Sequence, residues 1–309
     1  MAAPASADAI RDVNVRYHDA AADEYDSKWG IDFYDIGHQQ VMGKFRKALG
    51  KRAEGPFERA LEIGAGTGYF SLNLVKAGSI SEVVCTDISP GMLHSLERNA
   101  ASIGLAGRVS TKATGAEELP FEDNSFDLVL GHAVLHHIPD LDRAFNEFER
   151  VLRPGGTVFF AGEPSRHGDR LAQYPKSFAL RTAPAWRRLV GATESQLPPS
   201  DCSHEGLDGH DLEGFVDVHA FDPASLKGFA EQAGFRGVKV RGEELLANWF
   251  GWTNRTLEST AVQDTVPMAW RKYAYHGYIA LQAVDRTLLE PRLPPAIFYN
   301  LIVSGTASP

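Results

Sequence analysis

Residues 58–70 read Glu-Arg-Ala-Leu-Glu-Ile-Gly-Ala-Gly-Thr-Gly-Tyr-Phe. A short, largely apolar run, Ala60–Ile63, ends in three glycines at alternate positions, Gly64, Gly66 and Gly68. An apolar, helix-capable stretch follows from Tyr69 to Ala77, and Gly78 stops it. The pattern predicts a buried strand, a tight turn and a helix. Glycine is required where the backbone takes positive φ or where a ligand must touch it. A nucleotide-like ligand is therefore expected above the carboxyl end of this strand.

The spacing narrows the ligand. Dinucleotide folds carry G-x-G-x-x-G, with the third glycine one residue later than here. A second strand, Val83-Val84-Cys85-Thr86-Asp87, ends in a carboxylate 19 residues after Gly68, where it can accept hydrogen bonds from both hydroxyls of a ribose. Glu62, just before the turn, adds a second acid. A pyrophosphate at a helix N-terminus is disfavoured by nearby negative charge. S-adenosylmethionine has no phosphate and carries a sulfonium cation, so acids around the loop suit it better. It is the favoured ligand, and a nicotinamide cofactor is the rival.

The rest of the chain supplies company for the glycines. Asp87-Ile-Ser-Pro-Gly-Met-Leu93 is followed by Gly115-Ala-Glu-Glu-Leu-Pro-Phe-Glu-Asp-Asn-Ser-Phe-Asp127, then Leu135-His-His-Ile-Pro-Asp140 and Arg150-Val-Leu-Arg-Pro-Gly-Gly156. In this order the motifs strongly resemble the class I S-adenosylmethionine-dependent methyltransferases, in the small-molecule branch that includes the quinone-biosynthesis C-methyltransferases. The resemblance is close over about residues 57–163 and looser over 10–50 and the C-terminal part. It implies an α/β, doubly wound Rossmann-like sheet of seven strands, the last one antiparallel between the fifth and sixth. It further implies that Gly64, Ala65, Gly66, Gly68 and Glu62 surround the donor, with Asp87 on the ribose. Ile88 would pack on the adenine, with Met92 either beside it or in the core. Ala116 and Glu117 match the position that meets the adenine edge. His132 matches the position beside the sulfonium and the acceptor, as a donor contact or as a general base. Tyr17 and Tyr25 lie in an N-terminal helix that folds over the donor in relatives, where either covers the methionine moiety or simply packs the cap.

The chain has 309 residues, 43% of them hydrophobic, enough for one large core or a core with a cap. A net charge of −9, from 31 basic and 40 acidic residues, argues against a nucleic-acid substrate. Two cysteines, Cys85 and Cys202, make no disulfide framework, and Cys85 reads as a small core residue. No stretch reaches the roughly 18 apolar residues of a membrane span. The first residues lack the basic start and apolar segment of a secretion signal, so a cytoplasmic protein, monomeric or homodimeric, is expected.

The organisation expected is an N-terminal helical cap segment (1–56), a donor-binding core (57–163), a lid insertion (164–220), and a C-terminal part of the core (221–309) with a helical insertion at 243–295. Further strands are predicted at Arg108–Ala113, Ser125–Gly131, Thr157–Ala161, Val238–Arg241 and Ile297–Val303, with helices at Asp140–Leu152 and from Asp222 to about Ala233. Ser89 reads as an N-cap with Pro90 in the first helical turn, and Arg153–Gly156 as a turn.

Several features admit more than one reading. His136 and His137 open the helix after the fourth strand and read first as packing histidines, and Asp127 as structural. Residues 201–219 carry Cys202, His204, Glu205, Asp208, His210, Asp211, Asp217 and His219, without a defined metal-ligand spacing, so a solvated acidic loop is preferred and no metal is expected. Residues 166–188 carry six basic residues against Asp169, interleaved with Leu171, Tyr174, Phe178, Leu180 and Trp186. Such a stretch fits a membrane surface, an anionic substrate, or a cap helix whose arginines face water. No Asp/Asn-Pro-Pro-aromatic tetrapeptide and no Pro-Cys pair follows the fourth strand, where Gly131-His-Ala-Val134 stands instead. With the aromatic residues Trp29, Phe33, Trp249, Phe250, Trp252, Trp270 and Tyr273, this points to a small, largely apolar methyl acceptor. A nicotinamide oxidoreductase and a non-catalytic donor-binding subunit or sensor are the rival functions.

Overall fold

The computed structural model describes residues 7–22, 25, 26, 31, 33–195 and 219–309, so Trp29 and the Cys202–Asp217 part of the histidine-rich loop lie outside the described residues. Along the chain the elements are α1 (Ala7–Ala21), α2 (Asp35–Leu49), β1 (Phe57–Ile63), α3 (Tyr69–Lys76), β2 (Ile80–Asp87), α4 (Pro90–Ser102), β3 (Val109–Ala113), β4 (Phe126–His132), α5 (Leu141–Val151), β5 (Leu152–Pro164), α6 (Arg166–Val190), α7 (Pro223–Gln232), β6 (Arg236–Glu243), α8 (Leu246–Ser259), α9 (Met268–Val284) and β7 (Asn300–Thr306). The seven strands form one sheet in the order β3-β2-β1-β4-β5-β7-β6. The pairings β1–β2, β1–β4, β2–β3 and β4–β5 are parallel. Gly155 donates to the carbonyl of Ser308 while Ala307 donates to that of Gly156, so the partner number falls as the β5 number rises and β7 is antiparallel. This is the mixed, Rossmann-like sheet that the motif order implied.

Two units divide the chain: Met1–Glu163 with Asp211–Val240 and Ile302–Pro309, and Pro164–His210 with Arg241–Leu301. In the first, neighbouring residues of β5 serve opposite layers, as the pleat dictates. Phe159 meets Phe45 at 5.7 Å and Phe70 at 5.8 Å between ring centroids. Phe160 meets Phe148 at 5.1 Å and Phe145 at 6.2 Å on the other face. All six of these rings are fully buried, so α2 and α3 cover one face and α5 the other. In the second unit, α6 buries Gly168, Ala172, Pro175, Ala179, Ala183 and Trp186, a stripe at helical spacing. The small residues let it pack closely on Leu257 of α8 and on Ala261 and Val266. Asp285, fully buried, accepts the N–H groups of Leu246 and Ala247 at 3.0 and 2.9 Å and caps α8.

Three local expectations need correction. Arg153–Gly156 is not a turn ahead of the fifth strand but an irregularity inside β5. Phe126 pairs with Leu152 and Leu128 with Thr157, so the extra residues bulge from the ladder, with Gly155 at φ 74°. For the same reason Leu152 starts β5 instead of ending α5. The last strand runs Asn300–Thr306 rather than Ile297–Val303, because Pro294 and Pro295 open a one-turn 3₁₀ helix at Pro295–Ile297. Leu135–His137 is likewise a 3₁₀ turn, and α5 begins later, where the Asp140 side chain accepts the N–H of Arg143 at 3.0 Å.

Candidate functional site

The strand order reverses between β1 and β4, and in doubly wound sheets the crevice at that point receives the ligand. Both sides of the crevice lie in the first unit. From β1 comes the glycine loop, with Gly64, Gly66 and Gly68 at φ 59°, 52° and 94°. The three are glycines for different reasons. A Cβ on Gly64 would stand 2.2 Å from Cγ2 of Val134, and one on Gly68 would stand 2.8 Å from Cδ1 of Leu72. A Cβ on Gly66 would meet no atom of the described residues within 4 Å. Gly64 and Gly68 are thus demanded by packing, whereas Gly66 borders a space that none of the described residues fills.

Asp87, at the end of β2, faces that space from the next strand. Its Oδ2 accepts the N–H of Gly66 and its Oδ1 the N–H of Ser89, both at 2.9 Å. These bonds leave further lone pairs on the carboxylate that ligand hydroxyls could use. Burial raises the Asp87 pKa, opposed by the charge of His18 and by the backbone N–H groups of Ser89, Gly66 and Ile88. Ser89 caps α4 by accepting the N–H of Met92 at 3.1 Å. Met92 is buried and Ile88 half-buried, so of the two Ile88 is the one with side-chain surface left to offer. Ala65 and Ala116 are buried at the rim. Asp127 is structural, its carboxylate taking the N–H groups of Glu58 and Arg59 at 2.7 and 3.1 Å.

Glu62 lies under the loop, 1% exposed, near Ser71 and with Oε2 3.8 Å from Sγ of Cys85. Burial pushes its pKa up to about 8, partly offset by hydrogen bonds from Ser71 and Cys85. The folded state therefore holds a proton that the unfolded chain releases near its ordinary value of 4.5. Its stabilising share is complete below that value and is lost as pH rises through about 8. At about 1.4 kcal/mol per pKa unit the span is on the order of a few kcal/mol. In thermal melts of the unliganded protein, Glu62→Gln is expected to flatten the decline in Tm between about pH 5 and pH 8. An equal decline in both proteins would mean that Glu62 is not the buried acid responsible.

The N-terminal segment is fastened to the three motif loops by polar contacts. Arg11 donates to Oε1 of Glu117 at 2.9 Å, so the side chain expected at the adenine edge is held by α1. Asp19 accepts the Ser89 hydroxyl and, at 2.9 Å, the N–H of Gly91 at the start of α4. Asp26 accepts the hydroxyl of Thr67 in the glycine loop and, at 2.8 Å, the amide of Asn99. Burial, then the charges of Asp87 and Asp26, raise the Tyr25 phenol to about 12, so Tyr25 stands near these acids as a neutral phenol. Tyr17 packs edge-on against His18 at 5.1 Å.

His132, the last residue of β4, stacks on Phe70 at 4.7 Å and 16° and meets Tyr69 edge-on at 5.7 Å. A Cβ on Gly162 would come within 2.9 Å of its Nε2, so β5 leaves room for this ring. The turn that follows holds what sequence reading missed. Glu163, fully buried at the end of β5, accepts the N–H groups of Val134, Leu135 and His136 at 3.0, 3.1 and 3.2 Å. Its Oε2 also stands 2.8 Å from Nδ1 of His136. A carboxylate only accepts, so Nδ1 carries the proton and Nε2 is the basic nitrogen. His136 is thus a satisfied packing histidine whose ring Glu163 orients, and 11% of its side chain reaches the surface. His219, the part of the histidine-rich loop that falls within the described residues, braces the turn by donating its N–H to the carbonyl of His136 at 3.2 Å. His137 lies 4.0 Å from His136 and 5.7 Å from His18 between ring centroids. Among the described residues no group of three or more His, Cys, Asp or Glu side chains could hold a metal ion.

Comparison with known proteins agrees with the fold. Residues 61–160 match a family described as a methyltransferase domain. An uncharacterised protein of Mycobacterium tuberculosis is 32% identical over 148 residues, 48% of this chain and 53% of that protein. A ubiquinone/menaquinone biosynthesis C-methyltransferase of Cellvibrio japonicus is 28% identical over 178 residues, 57% of this chain and 66% of that protein. The chain thus spans about half the length of the first of these relatives. A Haemonchus contortus phosphoethanolamine N-methyltransferase, solved with phosphomonomethylethanolamine and S-adenosylhomocysteine, shares the fold at a TM-score of 0.61. It is 17% identical, over 97% of this chain and 60% of that one. The comparisons thus show a methyltransferase-domain match over residues 61–160 and the same fold in the solved structure.

Proposed function

We propose that this protein transfers a methyl group from S-adenosylmethionine to an oxygen or carbon of a small, largely apolar metabolite, such as a quinone, polyketide or lipid. The observation that carries the reading is the open space at Gly66 beside the Asp87 carboxylate, at the switch point of the sheet. The residues fit the donor. Asp19, Asp26 and Asp87 around the loop suit a cationic sulfonium and ammonium rather than a pyrophosphate. When bound, the donor supplies an electrophilic methyl group. Gly64–Gly68 and Asp87 hold its ends, Ile88, Ala116 and Glu117 border its base, and Tyr25, Tyr17 and the α1 segment shield it from water.

An acceptor hydroxyl or acidic carbon must lose a proton as it is methylated. We assign that proton to Nε2 of His136, with Glu163 stabilising the imidazolium that results. His132, held in its aromatic box, we assign to the wall of the donor site. A general base suits a hydroxyl or carbon acid, and the similarity to a quinone C-methyltransferase supports an apolar acceptor.

The test is incubation with isotopically labelled donor and a metabolite extract of the native host, followed by mass spectrometry. A labelled small molecule formed together with S-adenosylhomocysteine is expected. Donor binding without any turnover would instead mark a sensor or partner subunit. Asp87→Ala is expected to weaken donor binding at least ~10-fold, through loss of charge-assisted hydrogen bonds worth about 1.5–3 kcal/mol each. Unchanged affinity by calorimetric titration would remove Asp87 from the ribose.

A further inference from the structure

The second unit presents a surface that its own packing does not explain. With Gly168, Ala172, Pro175, Ala179, Ala183 and Trp186 turned inward, the opposite face of α6 is fixed. Arg170, Tyr174, Phe178, Arg181, Ala185 and Arg188 follow one another there at steps of three and four residues, and all six are exposed. Tyr174 is 71% exposed, Phe178 62% and the adjoining Leu189 84%. Three arginines share this face with two large aromatic residues, Tyr174 and Phe178, where a water-facing helix would carry mixed charge. Along its length α6 carries six basic residues and one acid, Asp169, on a chain whose net charge is −9.

We propose that the outer face of α6 lies on the surface of an anionic phospholipid bilayer. The charge decides among occupants. In a two-fold dimer the patch would meet itself, and basic side chains would face basic side chains. An anionic leaflet attracts the same arginines, takes tyrosine and phenylalanine rings at headgroup depth, and lets arginine heads stay in the polar layer while their stems cover apolar surface. Among the described residues no helix is long and apolar enough to cross a membrane, so the contact is one of lying on the surface. An apolar methyl acceptor dissolved in that leaflet would thereby be brought to the enzyme. The docking itself rests on none of the site assignments above.

The test is co-sedimentation of the full chain with vesicles of equimolar phosphatidylglycerol and phosphatidylcholine, and with phosphatidylcholine alone, in the absence of any substrate. Binding is expected to the anionic vesicles and to weaken with salt. Arg170→Glu with Arg181→Glu and Arg188→Glu should reduce it ~10-fold or more. Tyr174→Ser with Phe178→Ser should reduce it at unchanged charge. Lys51→Glu with Lys227→Glu and Arg236→Glu makes the same charge change at exposed positions of the first unit and should leave most of the binding intact. Melts followed by circular dichroism keep the comparison to folded proteins. The proposal is overturned by equal loss in the control, by no binding to anionic vesicles, or by a dimer that the α6 substitutions dissociate while vesicles pellet no protein.

Discussion

Gly66→Val is expected to abolish donor binding, a loss of at least ~100-fold, while the protein still folds. The backbone at Gly66 has φ 52°, and an L side chain there costs about 1–2 kcal/mol. That cost is tolerable in a domain of this size, because a Cβ at Gly66 touches none of the described residues within 4 Å. What the valine fills is the space the donor needs. Gly64→Ala is the contrasting case. Its Cβ would stand 2.2 Å from Cγ2 and 2.8 Å from Cβ of Val134, whose N–H is held by buried Glu163. Val134 cannot retreat without breaking that bond, so strain and overpacking together should cost about 2–5 kcal/mol of stability. Two glycines one residue apart are thus expected to separate, one failing in calorimetric titration with S-adenosylmethionine and the other in thermal melts. If Gly66→Val binds the donor as the native protein does, the open space belongs to something else.

The second large effect is expected at His136. His136→Gln should lower kcat by about 10²–10⁴, the range that general acid–base groups supply, with little change in donor affinity. The rate of the native protein should rise with pH as an imidazole loses its proton, and that limb should vanish in the variant. Glu163→Gln should lower kcat as well, since an amide no longer fixes the proton on Nδ1. It should also destabilise the fold by about 1–3 kcal/mol, because Glu163 serves three N–H groups and an amide nitrogen cannot accept them. The pH profile separates the two roles, since a merely structural loss would lower the melting temperature and leave the profile's shape alone. A His136→Gln enzyme that keeps its kcat and pH limb would return the base to His132 or to the acceptor itself.

These two sites also mark what could be read from the sequence. The strand ends that carry the glycine loop and Asp87 were legible because each is a local pattern, a strand followed at once by its turn. Asp127 and Ser89 were legible for the same reason. The Glu163–His136 pair was not, because its members are 27 residues apart and each alone resembles a common feature, a strand-end acid and a packing histidine. The fastenings of the N-terminal segment span greater distances, from 41 residues between Asp26 and Thr67 to 106 between Arg11 and Glu117. No periodicity announces such pairs, since tertiary folding alone brings them together. The bulge at Arg153–Gly156 was missed because the same Pro-Gly-Gly composition that makes a turn also makes an irregular strand.

The most direct measurement is a crystal structure of the protein with S-adenosylhomocysteine. We expect the ribose hydroxyls on the Asp87 carboxylate, the homocysteine end along Gly64–Gly68 with Gly66 against it, and the sulfur on the side of His132 and His136. Density for the ligand elsewhere, or an Asp87 still bonded only to Gly66 and Ser89 beneath an empty crevice, would contradict the account at its root.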